Sequence, residues 1–347
     1  SKVEATQPLT IKNAEVPDIK TSSELELDNT KATNVTTEGG DATINLKGET
    51  KLEKLEAKSK TTITADSSSA KIDEISTDNA EIETDDKADV GLVKAMGNAK
   101  ITVNGPTGNI EASGGNISIM GNSSPIIIGS AGTVSVGGNA KPILAATATE
   151  VNVTAGVGSS AGITVTGSVG SINTTGSGSI GTISIESGNP LVNIGGETQV
   201  GVIAVAGSAA PTIGGAGSTD KLVSTSSALI TVSVSTNTVI AQDTGKVSAS
   251  NAQTIQPATV TLDSISLTSK PSKLVYTTDA TELDTKGLVV TGNYIVTGFD
   301  GTVKKVLPAE AYTVTGWPTE ITAGNYTITV TENASNQNVT FQISIVA

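Results

Sequence analysis

Short apolar segments recur at a fixed interval early in this chain. "LEL", "INL", "ITA", "IET" and "ITV" begin at Leu25, Ile44, Ile63, Ile82 and Ile101, each 19 residues after the last. Apolar pairs at Ile117/Ile119, Val134/Val136 and Val151/Val153 follow at slightly shorter steps. A second register interleaves, with apolar residues three apart at Val16/Ile19, Leu52/Leu55, Ile72/Ile75 and Val93/Met96. It returns at Val169/Ile172, Ile180/Ile183 and Val200/Ile203. Period-two runs of β-branched residues are strands, and self-similarity at a fixed period marks a repeat architecture. Both features are met by a parallel β-solenoid in which about 19 residues make one coil. Strands of successive coils would then pair at roughly 4.8 Å, with Ile stacked on Ile.

The side chains available to fill such a tube agree with it. All seven aromatic residues lie after position 257: Tyr276, Tyr294, Phe299, Tyr312, Trp317, Tyr326 and Phe341. An ordinary sandwich or α/β core uses rings to fill its volume. A core of Ile, Val, Leu and Ala alone must be thin and regular. Disorder predicts few β-branched residues and no register. Helix is disfavoured by Gly and β-branched content, and in "KLEKLEAK" Leu52 and Leu55 keep the solenoid register. Asp41, Asn79 and Asn98 each precede an inward Ile by three residues, where a ladder of stacked turns is expected. At about 4.8 Å per coil, some 250 residues give on the order of 13 coils and a rod of about 60 Å. Strand edges at the ends need covering, and residues 1–15 are the expected cap at one end, the C-terminal domain at the other.

Charge divides the solenoid without interrupting its aliphatic pattern. Residues 1–97 are densely charged, as in "EIETDDKAD", whereas residues 98–256 are dominated by Gly, Ser, Thr and Ala. This reads as one architecture with two surface chemistries. The chain is therefore expected to be all-β, with a solenoid over residues 1–257 and a second domain over 258–347.

From residue 258 the strands lengthen and gain bulk. "TVTLDSISLT", "KLVYT", "LVVTGNYIV", "GTVKKVL", "AYTVTGW", "GNYTITVTE" and "NVTFQISIVA" make about seven strands separated by turn signals, the pattern of an immunoglobulin-like sandwich without its disulfide. The series "SKPSKLVYTTDATELDTKGLVVTGNY", "DGTVKKV", "YTVTGW", "TAGNYTITVT" and "VTFQISIV" resembles the bacterial immunoglobulin-like domains of surface proteins. The resemblance covers about a quarter of the chain. It implies an extracellular spacer or adhesive module without conserved catalytic residues. The solenoid is similar to parallel β-helix proteins in general and matches no subfamily motif.

The reactive side chains are few. Net charge is −13, His and Cys are absent, and all 21 basic residues are Lys. Nucleic-acid binding wants a basic face with Arg and aromatics, so no nucleic-acid partner is expected. No run of 18 apolar residues suggests a membrane span in this segment. "SKVEATQPLT" is not a signal peptide, so an exported protein would carry its signal outside this segment. Parallel β-helices include polysaccharide lyases and glycosidases, and a carboxylate pair can hydrolyse a glycoside. The usual Arg, His and aromatic partners are missing here, so catalysis is not the expected role.

For cations, the best local group is Asp78, Glu81, Glu83, Asp85, Asp86 and Asp89. Among these Asp78, Asp85, Asp86 and Asp89 are the candidate ligands and calcium the candidate ion, since calcium takes six to eight oxygens. A solvated face is the alternative reading, because Glu81 and Glu83 flank an inward Ile82 and point outward. Thr-x-Thr pairs at Thr147/Thr149, Thr164/Thr166 and Thr236/Thr238 are too irregular for an ice-binding ladder. Trp317, before Pro318, is either a ligand contact or a seal on the end of the sandwich. No other cofactor is expected. The expected function is a structural or adhesive role at a bacterial cell surface or in a secreted protein. A protein or glycan would be the partner, and self-association is open. The alternative is a polysaccharide-binding or polysaccharide-degrading β-helix.

Overall fold

The computed structural model describes residues 2–346; residues 1 and 347, the outermost residues of the two expected domains, lie outside the described range. The chain forms two compact units. One runs to Val239 and resumes over Gly245–Ile255; the other takes Ile240–Thr244 and the chain from Gln256 onward.

The first unit is a parallel β-solenoid of about 13 turns. Strands alternate between two stacks. One begins with Lys2–Ala5, Glu15–Thr21, Lys31–Thr37, Lys51–Ala57, Lys71–Thr77 and Asp89–Met96. The other begins with Leu9–Lys12, Glu24–Asp28, Ala42–Lys47, Thr61–Ala65, Glu81–Thr84 and Lys100–Val103. The long strand Ile126–Val136 serves both, since Ile127 pairs with Ile110 and Val134 with Ile117. The pairings named here are all parallel.

One column of inward residues carries the architecture. It runs Val3, Ile19, Val35, Leu55, Ile75, Val93, Ile110, Ile127, Leu144, Val165, Ile185, Val205 and Ser224. From Ile19 to Val205 no member is more than 2% exposed. Each such aliphatic side chain contributes about 1.5–3 kcal/mol by leaving water. A second column runs from Ile82 through Ile101, Ile117, Val134, Val151, Ile172, Val192 and Ile213 to Val232. Beside the first column, small residues let coils approach at a corner. Ala95, Ala112 and Gly129 stack there. Gly129 has φ +93°, and a Cβ on it would lie 2.1 Å from the Ala112 carbonyl oxygen, so no other residue fits.

The structure corrects the expected register at several points. Ile82 pairs with Thr61, 21 residues back, and Ile63 pairs with Thr84. A two-residue slip keeps Ile82 facing inward, because side chains alternate with period two. The pattern of apolar residues alone therefore cannot detect it. Thr61 is fully buried, and its hydroxyl is satisfied by Thr37 Oγ1 at 2.7 Å and the Ser59 carbonyl at 3.0 Å. Val90 and Val93, paired with Ile72 and Ile75, are the inward pair of this coil, whereas Met96 is 44% exposed. Ile172 follows Val151, so the pair Val169/Ile172 does not continue the column of Leu55. Residues 2–5 and 9–12 are not a separate cap but strands of the first coil, where Val3, Leu9 and Ile11 are half-buried.

The second unit packs a three-stranded sheet against a four-stranded one. Val260–Ser269, Val289–Val296 and Thr302–Val306 form the first, all antiparallel. The second has the order Val275–Thr277, Asn338–Val346, Gly324–Glu332, Tyr312–Thr315, and only its first pair is parallel. Both sheets contribute to one core, with Ile265 and Val290 from one and Tyr276, Ile328, Phe341 and Ile343 from the other.

Candidate functional site

Outward positions of the early coils carry the densest chemistry on the solenoid. Parallel pairing stacks equivalent positions of neighbouring coils, so opposite charges meet across coils. Lys94 Nζ lies 2.7 Å from Glu74, Lys51 Nζ 2.9 Å from Asp73, and Lys100 Nζ 3.1 Å from Glu81. Lys20 pairs with Glu38. These lysines hold the Glu38 and Glu81 carboxyls below the usual carboxylate range, mainly by hydrogen bonding. Lys20, Lys47 and Lys51 are raised in turn by their carboxylate partners. Two shallow polar clefts lie on this surface. One is bordered by Glu56, Lys58, Ser76 and Asp78, the other by Asp18, Lys20, Asn34, Glu38 and Lys58. Lys58 stands between them, 3.4 Å from Glu56 and 3.7 Å from Glu38.

The four candidate cation ligands are placed differently from one another. Asp85 is a turn clamp: Oδ2 accepts from Ala65 N of the previous coil at 2.7 Å, and Oδ1 accepts from Lys87 N at 3.1 Å and Ala88 N at 2.9 Å. Asp89 faces Lys71 at 3.6 Å. Asp78 borders the first cleft, and Asp86 is exposed. Among the described residues, no group of three or more acidic side chains converges to hold a metal ion. Asn79 Oδ1 accepts from Asn98 N at 3.1 Å, the expected turn ladder. Comparable links join Asn29 to Glu49 N and Asn139 to Ser160 N. Asp41 does not extend the Asn79 ladder, because the slip at Ile82 separates their registers.

Beyond residue 100 the outward rows carry few charges. Thr102, Ser118, Ser135, Asn152, Asn173 and Asn193 occupy one row on successive coils. Glu150 beside it is bonded by the Asn173 amide at 2.7 Å. The Thr-x-Thr pairs share no row: Thr147 lies beside Ser130, Thr164 beside Ile143, and Thr236 is buried.

In the second unit Trp317 is partly buried, edge-on to Tyr276 with ring centroids 5.0 Å apart. The Lys273 ammonium lies 4.6 Å from the centre of the Tyr276 ring. Tyr276 Oη donates to the Lys273 carbonyl at 3.1 Å and accepts from Asp284 N at 3.1 Å. No motif or spacing marks Glu332, which is 8% exposed and whose carboxylate accepts from Ser335 Oγ and N at 2.6 Å and Ala334 N at 3.1 Å. No described helix is long and apolar enough to cross a membrane.

No protein family matches the chain, and no curated protein does. Among solved structures it is similar to the chitinase ChiW of Paenibacillus sp. str. FPU-7, a bacterial cell-surface-expressed multi-modular enzyme. Identity is 11%, the match covers 86% of this chain and 24% of that one, and the TM-score is 0.18. The chain thus spans about a quarter of the chitinase's length, and a similarity this weak carries no argument about function.

Proposed function

We propose that the chain is a structural and adhesive module of a bacterial surface or secreted protein, in which a stiff solenoid presents its outward rows to a protein or glycan. The observation that carries this reading is the inward column from Val3 to Ser224. It sets outward side chains at a constant pitch on a support whose members from Ile19 to Val205 are almost fully buried. Rows such as Ser118–Ser135–Asn152–Asn173 are thereby displayed at roughly 4.8 Å intervals. The two-sheet unit is read as a bacterial immunoglobulin-like spacer. Its seven strands and the series from "KLVYT" to "VTFQISIV" support that reading.

The test is to incubate the purified chain with an array of host, plant and microbial glycans and with envelope proteins, scoring retention and released product together. Retention without release is the expected result. Catalytic release of sugar fragments would replace this reading with that of a polysaccharide-degrading β-helix. Antibody labelling of intact producing cells checks the location, and a signal only after lysis would overturn it.

A further inference from the structure

Four carboxylates in the early coils each sit between lysines of the preceding and following coil. Glu26 faces Lys12 at 3.9 Å and Lys47 at 2.5 Å. Glu38 faces Lys20 and, at 3.7 Å, Lys58. Glu74 faces Lys54 at 3.8 Å and Lys94 at 2.7 Å. Glu81 faces Lys60 at 3.5 Å and Lys100 at 3.1 Å. The other charged groups facing these sets are Asp28, 3.1 Å from Lys12, Glu56, 3.4 Å from Lys58, and Glu4 and Asp66, which act on Lys20 and Lys47.

We propose that these sandwiches make the early coils an acid-sensitive segment. Protonating the carboxylates leaves lysines of successive coils facing each other, and the solenoid opens locally from Glu24 to Val103 while later coils stay closed. Charge counts supply the contrast. Residues 1–97 hold 12 Lys and 20 Asp or Glu, whereas residues 98–256 hold four Lys and six acids. Full protonation therefore leaves 12 positive charges on the first segment and four on the longer second one. A single exposed ion pair contributes little; here the effect is the sum over a network that turns from attraction to repulsion. Opening stays local because each coil contacts only its neighbours.

The sign of the pH dependence follows from the lysine partners. Glu38 and Glu81 have lowered folded-state values, so their contribution is present above the ordinary carboxylate value of 4.5. It is lost as pH falls below 4.5 through the folded-state values.

Hydrogen exchange followed by mass spectrometry on the whole chain, near neutral pH and in acid below the carboxylate range, tests this. Exchange times are scaled for the intrinsic rate. The expected result is a tenfold or greater loss of protection in acid for peptides within residues 24–103, with little change over residues 163–232. Equal loss in both regions, or none in the first, would overturn the proposal. High salt shortens the Debye length to about 3 Å at 1 M, so added salt in acid should restore protection. If it does not, lysine repulsion does not drive the opening, and the proposal fails. The variant combining Lys47→Gln, Lys58→Gln, Lys94→Gln and Lys100→Gln removes one lysine from each sandwich. It should keep its protection in acid; an undiminished acid loss contradicts the proposal.

Discussion

The coil around Leu55 and the coil around Ile185 present the same interior and opposite exteriors. Both residues belong to one column, and both are fully buried. Around Leu55 the outward neighbours are Lys54 and Glu56, engaged with Glu74 and Lys58. Around Ile185 no Lys or Arg occurs between Lys141 and Lys221. The fold therefore depends on the inward residues, and the outward rows are free to vary. In a solenoid, surface chemistry changes along the axis without a domain boundary.

If that comparison holds, truncation of the interior must cost the same in both halves. Leu55→Ala and Ile185→Ala are each expected to destabilise by about 2–5 kcal/mol, read as a local loss of exchange protection near neutral pH. A marked difference between them would break the comparison. Asp85→Ala comes next, at about 1–3 kcal/mol, because it strands the amides of Ala65, Lys87 and Ala88. Protection should fall at that turn alone.

The second unit sharpens the contrast through acid. The Glu332 carboxyl is held low by its bonds to Ser335 and Ala334. Its contribution is present above 4.5 and lost as pH falls through the folded-state value. Glu332→Gln should therefore flatten the acid limb of this unit's thermal denaturation and lower its midpoint near neutral pH. An unchanged acid limb would show that the clamp is idle. The smallest effect is expected for Asp89→Asn, whose exposed pair with Lys71 contributes about 1 kcal/mol or less. Thermal melts of wild type and variant should nearly superimpose.

Much of this fold was legible because β-branched residues at period two and a repeat near 19 leave few alternatives. Leu25, Ile44 and Ile63 stack as read, as do Ile82 and Ile101. The slip at Ile82 was hidden, because a shift of two residues preserves the inward pattern and an inward Thr61 looks polar in sequence. Met96 was misread because spacing alone cannot tell whether Val93 pairs with the residue three before it or three after. Asp85 was legible as a candidate oxygen ligand but not as a clamp, since its Ala65 partner lies a coil away. Glu332 lay in a turn with no spacing motif. The legible features are those a one-dimensional period encodes, and the hidden ones depend on which coil faces which.

The register at the slip tests the stacked-coil account most directly. The chain contains no Cys, so engineered pairs report without background. Thr62 and Glu83 are outward partners on adjacent strands, at a separation of about 4.8 Å that a disulfide can bridge. The pair Thr64 and Glu83, which a strict 19-residue repeat would bring together, lies about 8 Å apart by the same strand geometry. Thr62→Cys with Glu83→Cys should cross-link rapidly under mild oxidation, and Thr64→Cys with Glu83→Cys should not. Preferential linkage of the second pair, or no linkage of either in the folded chain, would contradict the account.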